Sequence, residues 1–319
     1  MKRTDKALLI IFTAFVLIIG SLIFILPQKD FSESENRYLA KMPEFNIASL
    51  LNGNYTKEIS SFYADQFPLR RIATSVYAIS ERAMGKNAIG GVIQYNNKLI
   101  SIQKSKKAAK DISIPAVCIQ SKYSLFKAQS NELLNYYNTD HHRTTYGAYL
   151  VYLEACKQLK IQAYPESYFT KETVCNDFYG TDFFKSRLPK FYVTADSIEL
   201  WRYPSDENVT LTIHDTKKEL SGFYDFSKLN TSDKYAIFLG GNYAHATLTT
   251  SSSKPTLLLF KDSFSNAVIP FLSLHFNIDI IDPRYATKAQ ISAAFNNTHY
   301  DYRLFIGCLD SFGSFDSFE

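Results

Sequence analysis

The sequence contains little cysteine and no block of charge of one sign. Its 319 residues include only four cysteines, Cys118, Cys156, Cys175 and Cys308. They show no Cys-x-x-Cys or metal-ligand spacing, which argues against a zinc site or a disulfide framework. One bridge, Cys118 to Cys175, is left open, whereas Cys156 and Cys308 fit small buried positions. The net charge is +4 with both signs interspersed, so the composition gives no indication of nucleic-acid binding.

Charge is also absent from an apolar run near the N-terminus, residues 7–26. Twenty residues at helical rise span about 30 Å, the thickness of the hydrocarbon core of a bilayer. No small-x-small cleavage site follows the run, and Lys2, Arg3 and Lys6 precede it. These features predict a single-pass signal anchor with a cytoplasmic N-terminus and an extracytoplasmic domain. A cleaved signal peptide is the alternative interpretation.

The sequence has no internal repeat and no low-complexity linker, so about 290 residues after the run are left for one large domain. The predicted organisation is a cytoplasmic tail at 1–6, a transmembrane anchor at 7–26, a connector at 27–45, an extracytoplasmic domain at 46–309 and a C-terminal tail at 310–319. Apolar spacing predicts helices within 46–84 and at 144–160. Residues 92–95 and 98–100 predict a hairpin around Asn96-Asn97.

Several short apolar runs predict strands, at 161–164, 235–239, 256–260, 278–281 and 302–306. Continuous apolar strands of this kind are typical of parallel strands buried on both faces. A predicted helix at 266–275 follows one of them. The sequence therefore predicts an α/β sandwich with a central, mostly parallel sheet.

Lys261-Asp262-Ser263-Phe264-Ser265-Asn266 follows the strand at 256–260. A serine on a strand-to-helix turn presents its hydroxyl at the edge of the sheet, where N–H groups of the helix start can bind an oxyanion. The alternative is that Ser263 or Ser265 only caps the helix.

Asp140-His141-His142 offers the groups that a serine nucleophile needs, because an imidazole takes its proton and a carboxylate orients the imidazole. In an extended segment, Asp140 and His142 face the same side. Two alternatives remain open: a metal site, for which this ligand set is small, and a polar loop that caps the helix near Thr144.

Gly240-Gly241-Asn242 follows the strand predicted at 235–239. Glycines allow a backbone to approach a ligand closely, and an asparagine amide can donate to an oxyanion. A simple glycine-rich turn explains the segment equally well.

Together these segments resemble the DHHW protein family, relatives of the AlgX/AlgJ-type alginate O-acetylation proteins within the SGNH/GDSL hydrolase superfamily. The resemblance is carried by residues 139–149 (TDHHRTTYGAY), 178–181 (FYGT), 238–242 (FLGGN), 258–272 (LLFKDSFSNAVIPFL) and 282–285 (DPRY). It departs from the family at Arg143, where the family name expects Trp, so a cation replaces a flat aromatic ring. The serine motif reads Lys-Asp-Ser where the wider superfamily has Gly-Asp-Ser.

The resemblance implies an SGNH-hydrolase-like three-layer sandwich in which Ser263 is the nucleophile, His142 the base and Asp140 its orienting carboxylate. It implies Asn242 and Gly241 as oxyanion donors. Neighbours expected to shape the substrate cleft are His141, Tyr146, Lys261 and Arg284.

The activity implied is O-acetyl transfer to a cell-envelope or secreted polysaccharide through an acetyl-serine, with no cofactor and no metal. A membrane-bound O-acyltransferase is the implied supplier of acetyl groups, and no nucleic acid is involved. Two alternatives stay open: an acetylesterase with the same residues, and a non-catalytic anchored protein that binds or assembles polysaccharide.

Overall fold

The described N-terminal part of the chain contains helices and a short two-stranded ribbon. This computed structural model describes residues 3–25, 27–35, 37–66, 88–89, 92–95, 98–101, 114–186, 188–204, 206–251 and 253–308. Helix α1 comprises Arg3–Ile25. A two-stranded ribbon, β1 (Phe31–Ser32) with β2 (Arg37–Tyr38), precedes α2 (Ile47–Leu51) and α3 (Asn54–Gln66). Arg37 connects the ribbon to α3 through a bidentate ion pair with Asp65 at 2.6 and 2.8 Å.

The predicted membrane anchor overlaps α1. Among the described residues, no helix is both long enough and apolar enough to cross a membrane. The anchor is therefore not supported by the structure and stays a prediction from the sequence.

The predicted hairpin is present as a small antiparallel sheet. Its strands are β3 (Ala88–Ile89), β4 (Val92–Tyr95) and β5 (Lys98–Ser101). The helices expected in 46–84 are confirmed as α2 and α3, and positions 67–87 lie outside the described residues. The predicted tail at 310–319 also lies outside them.

A seven-stranded sheet forms the centre of the domain. Its strands are β6 (Ala116–Ile119), β9 (Thr210–Ile213), β10 (Lys218–Ser221), β11 (His245–Thr249), β12 (Thr256–Lys261), β13 (Asn277–Ile281) and β14 (Tyr302–Cys308), in the order β10-β9-β11-β13-β12-β14-β6. The four strands from β13 to β6 pair in parallel, and the other three join antiparallel. Five of the seven strands thus point the same way, which confirms the predicted mixed α/β architecture with a mostly parallel sheet.

Helices cover both faces of this sheet. The remaining α-helices in the described part of the chain are α4 (Lys122–Lys127), α5 (Thr145–Leu159), α6 (Thr181–Ser186), α7 (Ile269–Leu272) and α8 (Lys288–Asn296). Leu257 and Leu259 of β12 pack into the core that includes α5 and α7. Leu258 and Phe260 point the other way, into the core beneath α8. Because successive strand residues alternate between faces, an uninterrupted apolar strand is buried on both sides.

The helix predicted at 144–160 is confirmed as α5. Thr144 caps it, since its hydroxyl accepts from the Gly147 N–H at 3.1 Å, and Lys160 ends it in the left-handed region at φ 56°. A second antiparallel pair, β7 (Thr170–Phe178) with β8 (Asp196–Arg202), packs beside α5.

Three predicted elements differ in the structure. The strand at 235–239 is wrong: residues Lys234–Ile237 form a 3₁₀ turn, and Leu239 turns the chain at φ 65°. The strand at 161–164 is wrong as well, because no ladder forms there. The helix at 266–275 is reduced to a 3₁₀ turn at Ser263–Ser265 followed by α7. An apolar run indicates that a segment is buried. Burial alone does not show whether the segment pairs as a strand or packs as a turn.

The four cysteines, all of which lie within the described residues, form no disulfide bridge. Cys156 and Cys308 are buried, as predicted. The bridge left open between Cys118 and Cys175 is not formed: Cys118 is exposed on β6, and Cys175 is buried on β7.

Candidate active site

Asp140, His142 and Ser263 form a continuous hydrogen-bonded chain. The Nδ1 atom of His142 lies 2.5 Å from Oδ1 of Asp140, and its Nε2 atom lies 2.9 Å from Oγ of Ser263. All three side chains are buried, with 1 to 5% of their surface exposed. Ser263 follows the carboxyl end of β12, the edge of a parallel sheet where ligands bind. Two segments 121 residues apart in sequence are thus brought within direct contact.

The Asp140 carboxylate is fixed on both oxygens. Oδ1 also accepts from the backbone N–H of His142, and Oδ2 accepts from the N–H and the hydroxyl of Thr181 at 2.8 and 3.1 Å. Burial acts to raise the pKa of Asp140, but the two neighbouring imidazoles and the hydrogen bonds from His142 outweigh burial and hold the pKa well below its usual value. The carboxylate therefore stays charged and can stabilise an imidazolium.

Asp262, the neighbour of Ser263, caps the turn that follows β12. The carboxylate of Asp262 accepts from the N–H groups of Phe264 and Cys308, so Asp262 caps the 3₁₀ turn. The hydroxyl of Ser265 donates to the carbonyl of Ile306. The alternative in which Ser263 or Ser265 caps the helix is therefore wrong, and the Ser263 hydroxyl faces the imidazole.

Tyr235 holds the His142 ring in place. The two rings stack at 3.8 Å with an interplanar angle of 4°, and Phe264 contacts the imidazole at 5.1 Å. The Tyr235 hydroxyl donates to the Ser263 carbonyl at 3.3 Å. The sequence offered no signal for this residue, because the segment was predicted to be a strand.

A buried lysine supports the loop that carries Asp140. The Lys122 ammonium donates to the carbonyls of Tyr137 and Asp140 at 2.8 and 2.5 Å and to the carboxylate of Asp182 at 2.9 Å. On the other side, Asp196 accepts from Asn138 and Thr139 at 2.6 to 3.0 Å. Burial raises the pKa of Asp182 to about 6, although Lys122 opposes the shift. None of these supports was predicted from the sequence.

We expect Lys122→Met to lower the free energy of unfolding by about 3–5 kcal/mol, because the change leaves the Asp182 carboxylate buried without its cation. The measurement is urea denaturation followed by tryptophan fluorescence. Lys157→Met is the matched control, since Lys157 pairs with Glu154 at 3.6 Å on an exposed helix face, where an ion pair contributes less than about 1 kcal/mol. Equal losses in the two variants would contradict the role given to Lys122.

The segment 239–242 turns sharply to reach the same edge of the sheet. Leu239, Gly240 and Gly241 have φ of 65°, 75° and 140°, a conformation that favours glycine. The turn places Asn242 against Lys261: Oδ1 of Asn242 accepts from the lysine ammonium at 3.0 Å. Gly241 contributes its carbonyl, which accepts from Asn266 at 3.4 Å.

The four predicted substrate neighbours lie in different settings. His141 is partly exposed, and its Nδ1 is 2.6 Å from the Thr181 hydroxyl. Burial, reinforced by His142, holds the pKa of His141 well below its usual value despite Asp140. Arg284 pairs with the buried Asp282 through two hydrogen bonds, at 2.6 and 2.9 Å. Lys261 is buried, with 2% of its surface exposed.

Tyr146 is exposed on the first turn of α5, and its ring approaches Trp201 at 6.2 Å. Arg143, the departure from the family pattern, is buried. Its guanidinium lies over the Tyr136 ring at 4.9 Å and pairs with Glu132 at 3.4 Å. The substitution therefore places its cation against Tyr136.

Asp140, His141 and His142 also bring their ligand atoms within 4.8 Å of one another, a spacing compatible with a metal ion. Both ring nitrogens of His142 and Nδ1 of His141 are, however, engaged in hydrogen bonds to protein groups. This arrangement suits proton transfer better than metal binding, because a metal ligand must present a free lone pair.

Fold and site together define an α/β protein with a hydrogen-bonded Asp-His-Ser set at the carboxyl edge of its sheet. The pattern of the DHHW protein family matches residues 97–281, more than half of the chain, and the chain belongs to this family. The match includes Asp140, His142 and Ser263.

The chain is also similar to several solved structures. A DHHW family protein from Eubacterium siraeum is similar with a TM-score of 0.53 and 17% identity, over 70% of this chain and 92% of that chain. Bacillus cereus PatB1 with a sulfonyl adduct reaches a TM-score of 0.45 and 15% identity, over 59% and 67% of the two chains. A second PatB1 structure reaches 0.45 and 16%, over 61% and 70%. No curated protein matches the chain.

Proposed function

We propose that this protein is a serine O-acetyltransferase that acts on a cell-envelope or secreted polysaccharide. The observation that carries the proposal is the hydrogen-bonded chain from Asp140 through His142 to Ser263. It supplies a nucleophile, a base within reach and a carboxylate that orients the base, which is the arrangement required for acyl transfer.

In the first half-reaction, Nε2 of His142 takes the proton of the Ser263 hydroxyl as Oγ forms a bond to the acetyl carbonyl carbon. The bond between that carbon and the donor's leaving atom then breaks, and the imidazolium returns the proton to the leaving group. In the second half, a sugar hydroxyl gives its proton to His142 and attacks the acetyl-serine. The ester bond to Oγ breaks, Oγ recovers the proton, and the acetyl group rests on the sugar.

Both tetrahedral intermediates carry a negative oxygen that needs donors. The Ser263 N–H, the Asn242 side-chain amide and the Gly241 N–H are the proposed donors. Asn242 supports this assignment, because its oxygen is already bonded to Lys261 and Asn266, which directs its NH₂ group away from them. His141, Tyr146 and Arg284 are proposed to border the acceptor sugar.

The location of the reaction is also a proposal. The apolar run at 7–26 and its basic flank support a single-pass anchor that holds the domain outside the cytoplasm. A membrane-bound O-acyltransferase is the proposed source of acetyl groups. Fractionation of cells, with protease treatment of intact spheroplasts, tests this arrangement: a domain protected from protease would contradict it.

The activity is tested with a fluorophosphonate probe and with an acetyl ester. We expect the probe to label Ser263 in the purified protein and to leave Ser263→Ala unlabelled, with Ser265→Ala as the matched control that keeps labelling. With a chromogenic acetyl ester and added oligosaccharides, acetyl transfer to sugar supports the transferase, and release of acetate alone supports an esterase with the same residues. A folded protein that resists the probe would favour the non-catalytic alternative.

A further inference from the structure

Lys261 occupies a position that a substrate cannot reach. Its side chain is buried, and its ammonium donates to Oδ1 of Asn242 at 3.0 Å and to Oδ1 of Asn266 at 2.7 Å. The ammonium also lies 3.6 Å from the carboxylate of Asp282. All of these partners belong to the protein, so the buried cation must act through one of them.

Asn242 is the partner that stands at the proposed oxyanion site. Its side-chain oxygen accepts from Lys261 and from Nδ2 of Asn266 at 3.2 Å. A cation against an amide oxygen draws electron density from the amide nitrogen, and a charged donor strengthens the bonds linked to it where water is excluded. The N–H groups of Asn242 therefore become stronger donors.

The surrounding charges leave this cation only partly compensated. Asp282 is fully buried and already holds Arg284 through two hydrogen bonds at 2.6 and 2.9 Å, both shorter than its distance to Lys261. The other nearby carboxylate, Asp262, accepts from the backbone N–H groups of Phe264 and Cys308. Lys261 thus directs its two shortest hydrogen bonds at neutral amide oxygens.

We propose that Lys261 is a positioning residue that orients and polarises Asn242 as a donor to the oxyanion. This inference rests on the proposed serine chemistry and deepens it. It also gives a reason for Lys-Asp-Ser in this chain, because a glycine at position 261 would supply no cation behind the asparagine.

The proposal includes a pH dependence. Burial lowers the pKa of Lys261 to about 8, with Asp282 acting to raise it and Arg284 to lower it. The titratable groups that face the ammonium are Asp262, Asp282 and Arg284. Burial acts to lower the pKa of Arg284, but Asp282 outweighs burial and raises that pKa. As pH rises through about 8, Lys261 loses its proton, so the rate of Ser263 acetylation is expected to fall on the alkaline side.

The test is a double-mutant cycle on the rate of Ser263 acetylation by a chromogenic acetyl ester. We expect Asn242→Ala to lower kcat about 100-fold and Lys261→Met to lower it on the order of tenfold, with KM changed less than about twofold. In the Asn242→Ala background, Lys261→Met should have no further effect. Lys254→Met is the matched control, since among the described residues the ammonium of that partly buried lysine donates only to the Ser273 carbonyl.

Lys261→Arg should retain the rate and remove the alkaline decline, because the guanidinium keeps its charge. If Lys261→Met does not fold, the pH profiles decide: the decline near pH 8 should be present in the unmodified protein and absent in Asn242→Ala. Losses that multiply in the double variant, or an unchanged decline in Asn242→Ala, overturn the proposal. Failure of the serine chemistry itself is distinguished by loss of probe labelling at Ser263, which Lys261 and Asn242 variants should retain.

Discussion

Asp140→Asn is expected to lower kcat for an acetyl ester by about 10⁴-fold. Each oxygen of the Asp140 carboxylate faces donors: the N–H and hydroxyl of Thr181 on one side, and the backbone N–H and Nδ1–H of His142 on the other. An asparagine has a single oxygen, so its NH₂ group must face one of these sets. If the NH₂ group faces Thr181, two donors oppose each other and that hydrogen bond is lost. If the NH₂ group faces His142, Nδ1 must become the acceptor. Nε2 then carries the proton and cannot take another from Ser263.

The matched control is Asp279→Asn. Asp279 also pairs with a histidine, Nε2 of His245 at 2.6 Å, but no serine completes that pair among the described residues. We expect this control to keep its rate of ester cleavage within about twofold. Steady-state kinetics on both variants, with thermal melting to show that they are folded, check the prediction. A loss of less than tenfold in Asp140→Asn would falsify the assignment of Asp140 as the orienting carboxylate.

Gly180→Ala is expected to lower kcat about 100-fold or more and to reduce the free energy of unfolding by about 1–3 kcal/mol. A Cβ at position 180 would lie 2.2 Å from Cβ of Asp140 and 2.3 Å from its Oδ2. Atoms cannot approach so closely, so the Asp140 carboxylate must move away from Thr181 and His142. The cost in stability comes from overpacking, and the cost in rate comes from misplacing the carboxylate.

Gly53→Ala separates these two costs. Gly53 has φ of 80°, and apart from its chain neighbours no atom of the described residues lies within 4 Å of the position that an added methyl group would take. The change therefore introduces mainly backbone strain of about 1–2 kcal/mol. We expect reduced stability and an unchanged rate. Urea denaturation and steady-state kinetics measured on the same preparations test the pair. A Gly180→Ala protein with normal kcat would show that Asp140 tolerates displacement, contrary to the geometry.

Much of the fold could be predicted, because a strand that is buried on both faces of a sheet has a continuous apolar sequence. Leu257 to Phe260 alternate between two cores, and such a strand must be apolar throughout. Helix α5 was recognised from its apolar spacing and ends within one residue of the predicted limits. Residues 235–239 were mistaken for a strand because Tyr235 and Leu239 are buried by packing and not by pairing.

The central residues of the candidate site were predicted, but the residues that hold them in position were not. Asp140, His142 and Ser263 were predicted through the resemblance to the DHHW family, since each local motif alone also fitted a cap or a polar loop. Thr181, Tyr235 and Lys122 have no such signature, because each acts through hydrogen bonds or a stacked ring, and common residue types supply those contacts in any protein. The capping role of Asp262 was not predicted either, because serine and aspartate are both preferred cap residues and local sequence does not choose between them.

The sequence by itself determined the α/β class and the main parallel strands, because side-chain polarity and spacing record which faces are buried. The roles expected of Asp140, His142 and Ser263 followed from the family resemblance. The tertiary structure alone decided which groups touch. It joined Ser263 to His142 across 121 residues at 2.9 Å, turned Asn242 toward Lys261 and buried that lysine. A hydrogen bond tolerates a variation of only a few tenths of an ångström in the donor–acceptor distance. Only the packing of distant segments sets distances with that accuracy.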